Sequence, residues 1–164
     1  MSFDPAGSLR VLTGHGVRFV VIGGAAGALR GSPLLTGDLD ICYERSDDNL
    51  ERLAAALREL SATLRGAPED VPFRLDARTL RMGDAFTFDT TQGPVDILGR
   101  PAGSDGYEAL DRNASTFEVA GMDIRVASLD DLIRMKRAAG RPRDLAAAEI
   151  LGALRDEIEG RPDG

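Results

Sequence analysis

The stretch Ile22-Gly23-Gly24-Ala25-Ala26-Gly27-Ala28-Leu29-Arg30-Gly31-Ser32-Pro33-Leu34-Leu35-Thr36-Gly37-Asp38-Leu39-Asp40-Ile41 decides how this chain reads. Val17 to Ile22 is a compact, β-branched apolar run bounded by Gly16 and Gly23, which predicts a buried strand. The glycine pair then opens a short helix over Ala25 to Arg30, stopped by Gly31 and Pro33. Leu39 to Tyr43 predicts a second strand. On a strand, residues i and i+2 share a face. Leu39 and Ile41 then face the core, and Asp38 and Asp40 stand together on the other side. Two such carboxylates repel unless one takes a proton or a cation sits between them. A hard ion such as Mg²⁺ or Mn²⁺ suits an all-oxygen site. The plainer alternative stays open: Asp38 stabilises a turn and Asp40 faces solvent. Gly23-Gly24 reads either as a tight strand-to-helix turn or as backbone N–H groups presented to an anion.

Downstream, Asp96 lies in Gly93-Pro94-Val95-Asp96-Ile97-Leu98, a third acidic residue within an apolar strand-like run. Phe86 to Asp89 and Val95 to Leu98 predict two strands joined at Gln92-Gly93-Pro94, and Gly99 to Gly106 a loop. Thr116 to Val119 and Met122 to Val126 predict a hairpin about Ala120-Gly121. Helices are predicted over Pro5 to Thr13, after Ser46 with an apolar stripe from Leu50 to Leu60, after Ser128, and from Pro142 onward. The stripe of the last helix is expected on Leu145, Ala148, Ile150 and Leu151. Gly66 to Asp84 gives no clear pattern. The mixture predicts an α/β (α+β) architecture, a mixed β-sheet flanked by helices with helices at the C-terminal end.

The sequence has 164 residues, enough to bury a core without staples. One unit over 1–164 is expected, with a core at about 14–100 and a C-terminal hairpin and helical segment at about 107–160. The net charge of −7 disfavours duplex DNA as partner. One cysteine, Cys42, permits no internal disulfide, and one histidine, His15, permits no two-histidine metal site. The apolar run Phe19 to Leu29 holds three glycines and is too short to span a bilayer, and no secretory leader is apparent, so no membrane role and a cytoplasmic location are expected. Of 20 basic residues only Lys136 is lysine, a contrast that invites a chemical reason. Arg74, Arg78 and Arg81 read as a solvated surface or a basic strip, Cys42 as a small buried hydrophobe, and Tyr107 and Phe117 as core or rim.

Thirteen residues separate Gly24 from Asp38. An apolar residue, Gly-Gly, a spacer of this length, Asp-Leu-Asp, and a later strand aspartate resemble the nucleotidyltransferase superfamily of DNA polymerase β-like fold. Gly31 to Asp40 is similar to the small bacterial members, the AbiEii-type toxins of toxin–antitoxin pairs and the small lincosamide nucleotidyltransferases. Leu129 to Lys136, then Gly140-Arg141-Pro142-Arg143-Asp144-Leu145, resembles their C-terminal helical segment. The resemblance covers roughly Val17 to Leu151, with a gap in the middle. It departs at Leu34, where members often carry a basic residue, and Arg143 stands where lysine is common.

The resemblance implies transfer of NMP from an NTP to an acceptor hydroxyl with release of pyrophosphate. Asp38, Asp40 and Asp96 would be the catalytic and metal-holding residues for Mg²⁺ or Mn²⁺, with Asp96 as ligand or base. Gly23, Gly24, Lys136, Arg141 and Arg143 would bind the nucleotide. Asp144 would orient Lys136 or favour its helix start. The acceptor would be tRNA or a protein hydroxyl, with an antitoxin protein as partner, or a small molecule as in antibiotic-modifying members. A non-catalytic nucleotide-binding partner subunit is the alternative.

Overall fold

The computed structural model describes residues 4–68, 70 and 72–160. The ends of the expected 1–164 unit, and two positions of the unreadable middle, lie outside the described residues. The elements run α1 (Ala6–Gly14), β1 (Phe19–Ile22), α2 (Gly23–Leu29), β2 (Leu39–Tyr43), α3 (Asp47–Glu59), β3 (Thr63–Leu64) and α4 (Ala77–Arg81). They continue with β4 (Ala85–Asp89), β5 (Val95–Leu98), α5 (Tyr107–Asn113), β6 (Ser115–Val119), β7 (Met122–Val126), α6 (Leu129–Ala139) and α7 (Pro142–Glu159). The strands form one mixed sheet in the order β3-β4-β5-β2-β1-β7-β6. The β2–β5 and β1–β7 pairs are parallel and the rest antiparallel.

Local chemistry explains most boundaries. Ser46 caps α3 by accepting the Asn49 N–H at 3.3 Å, and Ser128 caps α6 by accepting the Asp131 N–H at 3.1 Å. Asp47, Asp48, Asp130 and Asp131 occupy the first turns, where the helix dipole favours acid. Gly140, at φ +71°, ends α6 in the left-handed conformation. Ala120 and Gly121 both have positive φ, the backbone that a two-residue hairpin turn demands, although Ala120 is an unusual residue for it.

Buried Asn49 ties α3 to the sheet: it accepts the Arg18 N–H at 2.7 Å and donates to the Arg18 and Glu44 carbonyls at 3.0 and 2.7 Å. The core joins Val20, Val21, Ile41 and Ile97 of the central strands to Leu9, Leu12, Leu50, Leu53 and Leu57 of α1 and α3. Cys42 is buried within it.

The expected elements are present with shifted ends. β1 is shorter than Val17 to Ile22, and α2 begins at the glycine pair itself. The sequence pattern misses β3, α4 and α5, which are two, five and seven residues long, too short to show a period. The stripe of α7 falls in part where expected, on Ala148 and Leu151, with Ile150 half-buried. Asp144, Ala147, Ala148 and Leu151 are buried, and Leu145 is exposed. α7 packs against α6, and its buried Ala147 and Ala148 are too small to mark burial strongly in the sequence.

Candidate active site

The sheet register assembles one row of side chains. Ile22 pairs with Asp40, Asp40 with Asp96, and Asp96 with Thr87. Paired residues on neighbouring strands project to the same face. The Arg65 N–H donates to the Thr87 carbonyl at 2.9 Å and carries the row past the end of β3. Asp38 immediately precedes β2, which spans the expected Leu39 to Tyr43, and Asp40 lies within it. All three carboxylates nevertheless line one cleft of about 580 Å³. Gly23, Gly24, Lys136, Arg141 and Arg143 line it too, so every residue singled out for the site faces this cavity.

The glycines are required by contact. Gly23 has φ +68°, and a Cβ there would fall 2.1 Å from Asp40 Oδ2. A Cβ on Gly24 would fall 2.7 Å from Thr36 Oγ1. Thr36 itself donates to the Asp38 carbonyl at 3.2 Å, which holds the turn leading into Asp38. The pair therefore lets α2 start directly against the acidic row.

Asp40 carries the electrostatic load. Burial, the charge of Asp96 and a hydrogen bond with it, and the charge of Asp38 together push its carboxyl from 3.8 up to about 7, with Lys136 pulling the other way. Its Oδ1 is buried without a hydrogen-bond partner. An orphaned carboxylate oxygen beside two further carboxylates is the donor set that a hard divalent cation satisfies. Asp38, Asp40 and Asp96 could hold such an ion. Among the described residues, no three acidic, histidine or cysteine side chains already stand in ligating geometry. Asp96 is engaged elsewhere: Arg65 donates to Asp96 Oδ1 at 3.1 Å, to Asp89 Oδ1 at 3.2 Å and to the Phe88 carbonyl at 2.9 Å.

Opposite the carboxylates, α6 and α7 present the cations. Lys136 Nζ lies 3.7 Å from Asp144 Oδ1, and Arg141 Nε donates to Asp144 Oδ2 at 2.7 Å. Asp144 is buried, and its carboxyl is held below the usual range chiefly by the Arg141 hydrogen bond. Arg134 pairs instead with buried Asp131. Arg134 and Arg137 do not line the cleft, and neither do Arg74, Arg78 and Arg81. Arg81 pairs with Asp47 at 2.7 Å.

The mouth is apolar: Leu35 is fully exposed and Leu34 is 42% exposed, both on the cleft rim. Arg65 escaped the sequence reading because it follows a two-residue strand and has no motif around it.

No protein-family model matches the sequence, and no curated protein matches it. Solved structures do match the fold. The lincomycin-bound crystal structure of the lincosamide antibiotic adenylyltransferase LnuA superimposes with a TM-score of 0.62 at 13% identity, covering 94% of this chain and 99% of that one.

The chain has the nucleotidyltransferase fold.

The crystal structure of ANT(2″)-Ia in complex with adenylyl-2″-tobramycin agrees, with a TM-score of 0.55 at 15% identity and 94% of each chain covered. The solution structure of the antibiotic-resistance factor ANT(2″)-Ia gives 0.54 at 15% identity, covering 95% of this chain and 89% of that one. At these identities the likeness is one of fold, and it accords with the mixed sheet and terminal helices described above. No helix among the described residues is long and apolar enough to cross a membrane.

Proposed function

We propose that this chain is a divalent-metal-dependent nucleotidyltransferase that moves NMP from an NTP to an acceptor hydroxyl and releases pyrophosphate. The observation that carries the reading is the convergence of Asp38, Asp40 and Asp96 with Gly23, Gly24 and Lys136 on one cleft, with an unpartnered Asp40 oxygen at its centre. In this reading residues 1–164 act as one unit, the carboxylates coming from the sheet and the cations from the last two helices. Mg²⁺ or Mn²⁺ held by the carboxylates would neutralise triphosphate charge and polarise the α-phosphate.

The chain's own groups do the rest. Gly23 and Gly24 leave room for the phosphates to approach the backbone. Lys136, Arg141 and Arg143 counter the charge that accumulates on the departing pyrophosphate. The acceptor oxygen bonds to the α-phosphorus as the bond from that phosphorus to the oxygen bridging to the β-phosphate breaks. Asp96 takes the hydroxyl proton.

A small hydroxylated acceptor is the reading the site favours. The cleft has a volume of about 580 Å³, its rim carries Leu34 and Leu35, and of the basic residues of α6 and the start of α7 only Lys136, Arg141 and Arg143 line it. LnuA and ANT(2″)-Ia, which share the fold, are described with lincomycin and adenylyl-2″-tobramycin. The toxin-like alternative, with tRNA or a protein as acceptor and an antitoxin as partner, is the second arm of the test.

The experiment incubates the chain with each α-labelled NTP and Mg²⁺ or Mn²⁺. Total RNA, a protein extract, or a panel of aminoglycosides and lincosamides serves as acceptor, with Asp38→Ala/Asp40→Ala as control. Label on a small molecule, lost in the control, is the expected result. Label on tRNA or protein establishes the toxin-like acceptor. Absence of pyrophosphate release with every acceptor, together with absence of NTP binding, overturns the proposal.

A further inference from the structure

Asp144 is an acidic residue in the middle of the cationic side of the cleft, where a polyphosphate would approach. Taken as charge alone it is misplaced, because it opposes the binding of an anion. Its surroundings give it a different part. It is 2% exposed, and both oxygens are used. Oδ2 accepts from Arg141 Nε at 2.7 Å and from the Arg141 backbone N–H at 3.3 Å, while Oδ1 faces Lys136 Nζ at 3.7 Å and Arg141 Nη2 at 3.5 Å. Asp144 therefore touches the cations from two different helices, α6 and α7, on either side of the Gly140 turn.

Lys136 and Arg141 are long side chains that lose rotamer freedom when they bind a phosphate. A buried carboxylate that holds both in advance moves that loss from ligand binding to folding. The arrangement also faces a second cavity of about 220 Å³, where Asp40, Lys136, Arg141 and Asp144 meet the apolar side chains of Leu132 and Met135. Lys136 and Arg141 thus border both spaces, and Asp144 is the carboxylate that contacts them both.

We propose that Asp144 is a positioning residue that pre-orients Lys136 and Arg141 as a two-cation clamp for the polyphosphate of the nucleotide. The inference rests on the nucleotidyltransferase reading above. It goes beyond a helix cap, and the two roles separate in Asp144→Asn. Asparagine keeps an oxygen for the Arg141 backbone N–H and removes the charge that holds the two cations.

The test uses inorganic tripolyphosphate, titrated by calorimetry into the full chain and into Asp144→Asn. Clamp and field predict opposite signs. Removing a negative charge should tighten anion binding if Asp144 acts only through its field. Loss of pre-orientation should weaken it, on the order of tenfold, with a melting temperature within a few degrees of the original. Equal or tighter binding by Asp144→Asn overturns the clamp and leaves the reaction reading standing. No binding by the unmodified chain overturns the clamp, and the reaction reading is then decided separately by NTP binding and pyrophosphate release.

Lys136 supplies a readout that needs no variant. As the only lysine in the sequence, it takes a ¹³C-dimethyl label as the single lysine resonance. A broadened, shifted signal that responds to tripolyphosphate is expected. A signal as narrow as that of free dimethyl-lysine overturns the proposal, even if Asp144→Asn does not fold.

Discussion

Replacing Asp40 with asparagine should make the metal-free protein more stable above neutral pH. The carboxyl has an ordinary value of 3.8 and is held at about 7, first by burial and then by Asp96 and Asp38. At low pH both the folded and unfolded chains carry the proton, and the group contributes nothing to the difference. Between 3.8 and about 7 the folded chain keeps a proton that the unfolded chain releases. Stability then falls as pH rises, because the folded state binds more protons. Each tenfold change in proton affinity corresponds to about 1.4 kcal/mol, so the ionised Asp40 costs up to about 4 kcal/mol at pH 8. The asparagine side chain cannot ionise and should recover most of that. For a chain of this size about 3 kcal/mol raises Tm by roughly 6–12 °C.

The assay is urea and thermal unfolding, followed by circular dichroism, at pH 4, 6 and 8 in EDTA. The two proteins should converge at pH 4 and separate progressively toward pH 8. Adding Mg²⁺ at pH 8 should stabilise the unsubstituted protein, by about 2.7 kcal/mol at one hundred times its dissociation constant, and leave Asp40→Asn unmoved. If Asp40→Asn is no more stable at pH 8 than the original, the carboxylate carries no such load, and the argument for a cation at this row fails.

Gly23→Ala places a Cβ 2.1 Å from Asp40 Oδ2 at a positive φ, and should lower stability by about 2–3 kcal/mol in a denaturant titration. Arg65→Met removes a cation 3.1 Å from Asp96 Oδ1. Mn²⁺ affinity, read from water-proton relaxation, should rise several-fold, and an unchanged affinity would mean Arg65 does not compete for that carboxylate. Leu34→Arg adds a cation at the exposed rim of the cleft. It should tighten tripolyphosphate binding several-fold at low salt, with the gain vanishing near 1 M salt as screening takes over.

The first two strands and the acid pair were legible because the signals are local. An apolar run between glycines, an Asp-Leu-Asp alternation and Ser46 and Ser128 as caps are each set within a few residues. Lys136 stood out by composition alone, as a lone lysine among arginines. On α7 the expected Ala148 and Leu151 are buried, but Leu145 drew weight that belongs to Ala147, because so small a side chain gives little signal of burial. Arg65, α4 and α5 left no trace, since elements of a few residues take their shape from what they pack against.

By itself, then, the sequence determined the longer strands and helices, the glycine turn and the alternation that singles out Asp38 and Asp40. These follow from backbone preference and side-chain period, which act over short distances. The tertiary structure alone decided that β5 lies parallel beside β2 so that Asp96 faces Asp40. It also brought Arg65 to Asp96 across the sheet edge and buried Asp144 between Lys136 and Arg141. The contacts of Asp96 join residues far apart in the chain, and those of Asp144 join two helices across the Gly140 turn. Their energies come from burial, charge and hydrogen bonding in a shared low-dielectric space, which exists only once the sheet and its helices have closed around it.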